Sequence, residues 1–123
     1  MIMPKIMAVD DEESILELIR AVLEAENYEV ITAGSGDECL EKLKTVKPDL
    51  ILLDMMMPGM SGREVCEKIR ADPKTKSLKV AFVTVAKFSE AGKGKLKDMG
   101  VLDYITKPFD NADLIARVKK MLA

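Results

Sequence analysis

Apolar runs of strand length alternate with segments of helical spacing along all 123 residues, and this alternation limits the fold more than any other feature. The apolar runs lie at residues 5–9, 29–33, 49–53, 79–84 and 101–105. Repeated strand–helix units predict an α/β fold, in which helices cover both faces of a parallel sheet. No linker or change of composition interrupts the pattern, so we expect one domain over residues 1–123.

The segments between the runs carry apolar residues at three- and four-residue steps, as amphipathic helices do. The first segment has an apolar face made of Ile15, Leu18, Ile19, Val22 and Leu23. Further helices are predicted near residues 36–46, after Gly62 and near residues 111–122. The stretch from Ser89 to Met99 contains Gly92 and Gly94, and a glycine inside a helix costs about 1 kcal/mol relative to alanine. We therefore expect a short, mobile helix there.

Composition excludes several classes of protein. A hydrophobic content of 48% and a charged content of 33% are typical of globular chains rather than disordered ones. The formal charge of −2 gives no bulk attraction to nucleic acid or to an anionic membrane. No apolar stretch approaches the roughly 18 residues that span a bilayer, and the amino terminus lacks the pattern of a signal peptide. We expect a cytoplasmic protein with no membrane insertion and no direct contact with nucleic acid.

The chain contains no histidine, which excludes a Ser-His-Asp triad, a Cys-His dyad and most zinc sites. Its two cysteines, Cys39 and Cys66, lie far apart within helical patterns. We expect both to be buried or half-buried free thiols of a cytoplasmic protein.

Polar residues with complementary chemistry follow the ends of the apolar runs. Asp10 and Asp11 follow the first run and Asp54 the third, while the fourth run ends at Thr84 and Lys107 follows the fifth. Open parallel sheets bind ligands at the carboxyl ends of their strands, so we expect these side chains to share one edge. Crowded carboxylates repel each other unless a cation compensates, and Mg²⁺ is the hard, oxygen-preferring ion that we expect.

Such a cluster suits phosphoryl transfer, which depends mainly on positioning and on charge stabilisation. Asp54 would be the nucleophile that attacks phosphorus and forms an acyl phosphate. Lys107 would supply positive charge to one phosphoryl oxygen, and the hydroxyl of Thr84 would donate a hydrogen bond to another. Each residue alone is more often a turn former, a helix cap or a solvated lysine, so the prediction depends on the set.

Four motifs, in this order, resemble those of a receiver domain of a two-component response regulator, and the chain is similar in size to the stand-alone chemotaxis-type regulators. They are Val9-Asp10-Asp11-Glu12, then Leu52-Leu53-Asp54-Met55-Met56-Met57-Pro58-Gly59-Met60-Ser61-Gly62, then Thr84, then Tyr104-Ile105-Thr106-Lys107-Pro108-Phe109. The motifs cover nearly the whole chain. The resemblance implies a flavodoxin-like (βα)5 three-layer sandwich with strand order 2-1-3-4-5.

The resemblance also implies a role for each acidic residue. Asp54 would be the phosphoacceptor, phosphorylated by a histidine kinase or a phosphotransfer protein. Asp11 and Asp54 would bind Mg²⁺ directly, Asp10 mainly through water, and Met56 through its backbone carbonyl. Such a domain is no enzyme beyond its own Mg²⁺-dependent phosphorylation and dephosphorylation.

For the switch, the resemblance implies that Thr84 moves toward the phosphoryl group and that Tyr104 swings inward as space is vacated. Lys107 would pair with a phosphoryl oxygen, and the Lys107–Pro108 peptide bond is usually cis in the family. A downstream protein would bind the face formed by the fourth helix, the fifth strand and the fifth helix. Tyr104 as a static strand residue is the alternative.

Three positions near the site depart from the commonest family pattern or carry apolar residues: Met56, Val85 and Ala86. These side chains cannot orient an attacking water, so we predict slow self-dephosphorylation.

Other interpretations stay open at this point. A phosphohydrolase that forms an aspartyl phosphate usually has a second Asp two residues after the nucleophile, where this chain has Met56. An unphosphorylated pseudo-receiver is disfavoured because every site position is filled. The end at Ala123 suggests a domain without an output domain of its own, but a receiver module of a longer DNA-binding regulator or hybrid kinase is the alternative. The cognate kinase, the target and the oligomeric state stay open.

Overall fold

The computed structural model describes residues 3–85 and 89–123, in which five strands alternate with five helices. The elements are β1 (Lys5–Val9), α1 (Glu13–Glu24), β2 (Glu29–Ala33), α2 (Gly36–Lys42), β3 (Leu50–Leu53), α3 (Gly62–Ala71), β4 (Val80–Thr84), α4 (Glu90–Asp98), β5 (Val101–Thr106) and α5 (Asn111–Leu122). Each predicted strand agrees with an observed strand to within one residue at either end. No helix in these ranges is long and apolar enough to cross a membrane.

The strands form one parallel sheet in the order β2-β1-β3-β4-β5, as expected. One apolar cluster packs α2, α3 and α4 against one face, called here the α2–α4 side. A second cluster packs α1 and α5 against the other face, the α1–α5 side. All four residues of β3 are buried, since this central strand is covered on both sides. The result is the predicted three-layer sandwich.

The apolar face of α1 differs in one position from the expected face. Ile19 and Leu23 are buried as predicted, but Leu18 is 40% exposed and Leu16 is buried in its place. Leu16, Ile19 and Leu23 follow the three- and four-residue steps of one narrow stripe, and Leu18 lies on its exposed flank.

Helix α2 ends at Lys42, four residues earlier than the predicted end at residue 46. The amide of Thr45 donates to the carbonyl of Lys42, three residues back, so the chain tightens into a turn after the helix. Pro48 follows shortly, and the residue before a proline is disfavoured in helical geometry. Ser35 caps the start of this helix, and its hydroxyl accepts a hydrogen bond from the amide of Glu38.

Helix α4 is short and weakly anchored to the core. Its amino end is capped by Ser89, whose hydroxyl accepts a hydrogen bond from the amide of Gly92. Among its described residues only Leu96 is buried, so its apolar stripe is thin. Lys95 and Lys97 are exposed, as a solvated face would be. The mobility of this helix stays a prediction.

Strand β5 contains a one-residue bulge. Val101 pairs with Val80, and Tyr104 pairs with Phe82, so three steps along β5 match two steps along β4. A bulge of this kind changes which residues of the strand face each side of the sheet.

Arg70, near the end of α3, joins two loops at the amino edge of the sheet. Its Nη1 donates to the carbonyl oxygens of Lys76 (3.0 Å) and Leu78 (2.7 Å), which precede β4. Its Nε and Nη2 donate to those of Met99 (2.6 Å) and Gly100 (3.3 Å), which precede β5. One side chain therefore satisfies four backbone carbonyls and ties the end of α4 to the start of β4.

We predict that Arg70→Met lowers the free energy of unfolding by about 2–3 kcal/mol, because four carbonyls lose a charged donor. The matched control is Arg63→Met in the same helix, where the guanidinium is exposed and pairs with Glu67 at 3.6 Å. The control is expected to change the free energy of unfolding by less than about 0.5 kcal/mol. Urea unfolding followed by circular dichroism measures both values, and equal effects would contradict the proposed contribution of Arg70.

Candidate functional site

The sheet brings the predicted site residues to one edge. Val9 pairs with Leu53, so Asp10 and Asp54 leave neighbouring strands side by side. The amide of Asp54 donates to the carbonyl of Val9 at 2.9 Å and extends this pairing by one residue. On the other side, the amide of Lys107 donates to the carbonyl of Thr84 at 3.0 Å.

Asp10, Asp11 and Asp54 form a carboxylate cluster. Each offers an oxygen atom, and these three atoms lie within 4.8 Å of one another. Asp10 and Asp54 are buried, whereas Asp11 is exposed to solvent. A set of carboxylate oxygens that is open on one side fits a hard divalent cation which keeps part of its water shell.

Lys107 lies against this cluster with a side chain that is only 6% exposed. Its Nζ donates to Oδ2 of Asp10 at 2.7 Å and lies 3.6 Å from Oδ2 of Asp54. Oε1 of Glu12 lies 3.7 Å away on the exposed side. Lys107 is therefore not a solvated lysine, and its shortest contact is with Asp10.

The pKa of the Asp54 carboxyl is raised, chiefly by burial and further by the neighbouring charge of Asp10. Hydrogen bonds from the Met56 amide and the Thr84 hydroxyl and the charge of Lys107 lower this pKa without cancelling the rise. Since a nucleophile must be ionised, a cation bound to the cluster would favour the reactive form of Asp54.

The pKa of Lys107 is raised as well, although burial alone would lower it. The hydrogen bond to Asp10 and the negative charges of Asp10, Asp54 and Glu12 outweigh the effect of burial. The ammonium group therefore stays charged at neutral pH and is available to pair with an anion.

The two predicted switch residues occupy different depths. Thr84 is buried at the end of β4, and its hydroxyl donates a hydrogen bond to the carboxylate of Asp54. Tyr104 is half-buried on β5, where its hydroxyl donates to the carbonyl of Lys93 on α4 at 3.5 Å. The ammonium of Lys93 lies 6.0 Å from the centre of the Tyr104 ring. These contacts connect Tyr104 to α4.

The loop after Asp54 places its methionines in two environments. Met57 is buried, and Met55 and Met60 pack against the same core cluster, as flexible core-filling residues do. Met56 instead has a side chain that is 61% exposed, while its amide donates to Oδ1 of Asp54 at 3.2 Å. Its carbonyl as a metal ligand stays a prediction.

Other residues near the site follow the expectations in part. Val85, which directly follows Thr84, is 59% exposed, and the Lys107–Pro108 peptide bond is cis as the resemblance implied. Ala86, which the sequence also singled out, lies outside the described residues. Cys39 and Cys66 are buried free thiols.

The sequence alone did not show the structural role of Gly62. A Cβ atom at this position would lie 2.1 Å from the carbonyl oxygen of Asp54, so only glycine lets α3 begin this close to the phosphoacceptor candidate. The available signal was a glycine directly after the helix cap Ser61. Glu12, near Lys107, was likewise not predicted as part of the site.

We predict that Gly62→Ala lowers the free energy of unfolding by about 3 kcal/mol, because the backbone must shift to admit the methyl group. Gly94→Ala in α4 is the control, since nothing lies within 4 Å of a Cβ there. It is expected to raise the free energy of unfolding by about 0.5–1 kcal/mol, through helix propensity. Thermal or urea unfolding measures the two changes, and the same sign for both would contradict the close approach at Gly62.

The family model named response regulator receiver domain matches residues 6–119. The chain belongs to this family, which confirms the resemblance inferred from its motifs. It is 43% identical over 120 residues to the phosphate regulon transcriptional regulatory protein PhoB of Rhizobium meliloti, covering 98% of this chain and 52% of that protein. The chain spans about half the length of the curated relatives that it matches first.

Solved structures support the fold. The chemotaxis protein CheY4 of Vibrio cholerae superposes with a TM-score of 0.91 at 31% identity, over 98% of this chain and 100% of that chain. The response regulator TrrA of Thermotoga maritima, solved in complex with Mg(2+)-BeF, gives a TM-score of 0.82 at 38% identity, over 98% and 100% of the two chains. The predicted flavodoxin-like fold is confirmed.

Membership of this family defines the general function. The chain is a receiver domain with a phosphoacceptor role in two-component signalling. Receiver domains are signalling domains rather than enzymes of the usual kind, and they bind a divalent metal. Their partners are histidine kinases or phosphotransfer proteins and downstream effectors.

Proposed function

We propose that Asp54 is the phosphoacceptor and that residues 1–123 form a single receiver domain around it. The observation that carries this proposal is the surroundings of Asp54, a buried carboxylate between Asp10, Lys107 and Thr84. The free thiols of Cys39 and Cys66 support a cytoplasmic location.

In the proposed transfer, an Oδ atom of Asp54 attacks the phosphorus of a phosphohistidine on the partner. A P–O bond forms while the P–N bond breaks, and its electron pair leaves with the imidazole nitrogen, which takes up a proton. Lys107 pairs with one phosphoryl oxygen, and the hydroxyl of Thr84 donates to another. The product is an acyl phosphate on Asp54.

We assign Mg²⁺ as the divalent metal, because the donor set consists of carboxylate oxygens. Asp11 and Asp54 would hold it directly, Asp10 mainly through water, and Met56 through its carbonyl. When bound, the ion supplies positive charge to the phosphoryl oxygens during the transfer. Asp10 also orients Lys107 through their 2.7 Å hydrogen bond, so this carboxylate has two functions at the site.

The proposed output is a change of the face formed by α4, β5 and α5. Phosphorylation would favour an arrangement in which Thr84 bonds the phosphoryl group and Tyr104 moves inward, which is a shift between two populations. The contact of Tyr104 with Lys93 would change in that shift, since both atoms of the contact lie on this face. The receiver would then bind a downstream protein rather than nucleic acid.

A second candidate is a receiver module within a longer regulator, such as a DNA-binding regulator or a hybrid kinase. One observation favours it: the chain covers about half of the relatives that it matches first. A phosphohydrolase is less well supported, since the position for its acid or base is the exposed Met56. The full reading frame distinguishes a single domain from a module of a longer protein.

We predict that acetyl phosphate with Mg²⁺ phosphorylates the wild-type chain but not Asp54→Asn, because only an ionised carboxylate attacks phosphorus. The matched control is Asp49→Asn, which removes the carboxylate directly before β3 at the opposite end of the same strand. Intact-mass spectrometry detects the added phosphoryl group, and chelation of Mg²⁺ is expected to abolish it. Phosphorylation of Asp54→Asn at the wild-type level would refute the assignment.

We further predict that the phosphoryl group persists for minutes or longer on the isolated domain. Met56, two residues after Asp54, and Val85, directly after Thr84, are 61% and 59% exposed, and neither apolar side chain can orient an attacking water. Met56→Gln, which adds a polar group at this position, is expected to shorten the lifetime about tenfold. Loss of labelled phosphate measures both lifetimes, and a wild-type lifetime of seconds would count against the prediction.

A further inference from the structure

The bulge in β5 determines which side of the sheet Tyr104 faces. In β4, Val80 and Phe82 both belong to the apolar cluster of the α2–α4 side, as alternate residues of a regular strand do. In β5, Val101 and Tyr104 both pack on that side although they are three residues apart. Ile105 belongs to the α1–α5 side. The extra residue of the bulge lies between Val101 and Tyr104.

A regular β5 would present a different side chain to α4. Without the bulge, Asp103 would stand opposite Phe82 on the α2–α4 side, and Tyr104 would turn to the opposite side. Tyr104 would then lose its hydrogen bond to the carbonyl of Lys93 and the contact of its ring with the ammonium group of Lys93. The bulge is therefore a condition for any contact between Tyr104 and α4.

Asp103 holds the backbone at the bulge. Its Oδ1 accepts a hydrogen bond from the backbone amide of Tyr104 at 2.8 Å. Nη1 of Arg117 on α5 donates to both carboxylate oxygens of Asp103, at 2.7 and 2.8 Å. Nε of Arg117 donates to Asp113 at 2.8 Å, which fixes the guanidinium on α5. β5 ends the sheet, so in the described part of the chain no neighbouring strand supports the bulge from outside.

We propose that Asp103, clamped by Arg117, is a positioning residue that stabilises the bulge and thereby fixes Tyr104 on the α2–α4 side. The pair is partly shielded from solvent, with side chains 26% and 39% exposed, unlike a fully solvated surface pair. Its consequence for signalling rests on the proposed switch role of Tyr104. The placement itself is a property of the unphosphorylated domain and is measured there.

The test uses the full chain without phosphate or metal and follows Tyr104 by nuclear magnetic resonance. Asp103→Ala is expected to speed hydrogen exchange at the Tyr104 amide about tenfold, because this amide loses a charged acceptor. Nuclear Overhauser contacts between the Tyr104 ring and Lys93 are expected to weaken. The exchange rate of the Tyr104 amide in Asp103→Asn is expected to lie between those of wild type and Asp103→Ala. The side-chain carbonyl of the asparagine still accepts a hydrogen bond from this amide, but it carries no charge to pair with Arg117.

The matched control is Asp113→Ala, which removes the other carboxylate on the same guanidinium without touching the bulge. It is expected to leave exchange at the Tyr104 amide within about twofold of wild type. Equal effects of the Asp103 and Asp113 variants would overturn the proposal, and so would a uniform acceleration of all amides in Asp103→Ala. If Asp103→Ala does not fold, Asp103→Asn provides the same comparison.

Phosphorylation by acetyl phosphate is measured on the same samples. This separates a failure of the phosphoacceptor assignment of Asp54 from a failure of the positioning role of Asp103. Asp103→Ala is expected to keep wild-type phosphorylation at Asp54, because Asp103 is no part of the phosphorylation site. Failure of the wild type to accept phosphate would refute the phosphoacceptor assignment alone. An unchanged Tyr104 in Asp103→Ala would refute the positioning role alone.

Discussion

The hydrogen-bonded pairing of β1 with β3 is the constraint on which the rest of the site depends. It places Asp10 and Asp54 side by side at the ends of two buried strands, where water is scarce and repulsion between carboxylates is strong. Lys107 becomes necessary for the same reason, since two buried carboxylates with no cation would destabilise the sheet that carries them. The register of two central strands therefore determines the charge pattern of the pocket.

The strands and the members of the site could be predicted from the sequence because their signals are local. Each apolar run is bounded by polar residues, and the carboxyl ends of parallel strands must meet at one edge. The features that were missed depend on contacts between distant segments or on turn geometry. The end of α2 is set by a tight turn before Pro48, and the exposed flank of α1 carries an apolar residue, Leu18. Gly62 has meaning only once α3 lies against the backbone of Asp54.

The bulge in β5 shows most clearly what sequence patterns leave out. The run from Val101 to Ile105 predicts a strand. Which side of the sheet each of its residues faces depends on the pairing with β4 and on the ion pair of Asp103 with Arg117 from α5. A one-residue difference in phase exchanges an acid for an aromatic ring on the side that faces α4. Two helices that do not belong to the proposed phosphorylation site, α4 and α5, are thus connected through the backbone of one edge strand.

The carboxylate cluster and Lys107 together have a simple electrostatic consequence. Three carboxylates and one ammonium leave two negative charges uncompensated, which equals the charge of one divalent cation. With such an ion bound, the charges of the three aspartates, Lys107 and the ion would sum to zero, and Glu12 would add its charge only on the exposed side. A phosphoryl group then returns net negative charge to a place surrounded by buried strands, where the effective dielectric constant is far below that of water. In the proposed mechanism, phosphorylation would thus change the local charge balance beside the two groups that hydrogen-bond to Asp54, the amide of Met56 and the hydroxyl of Thr84.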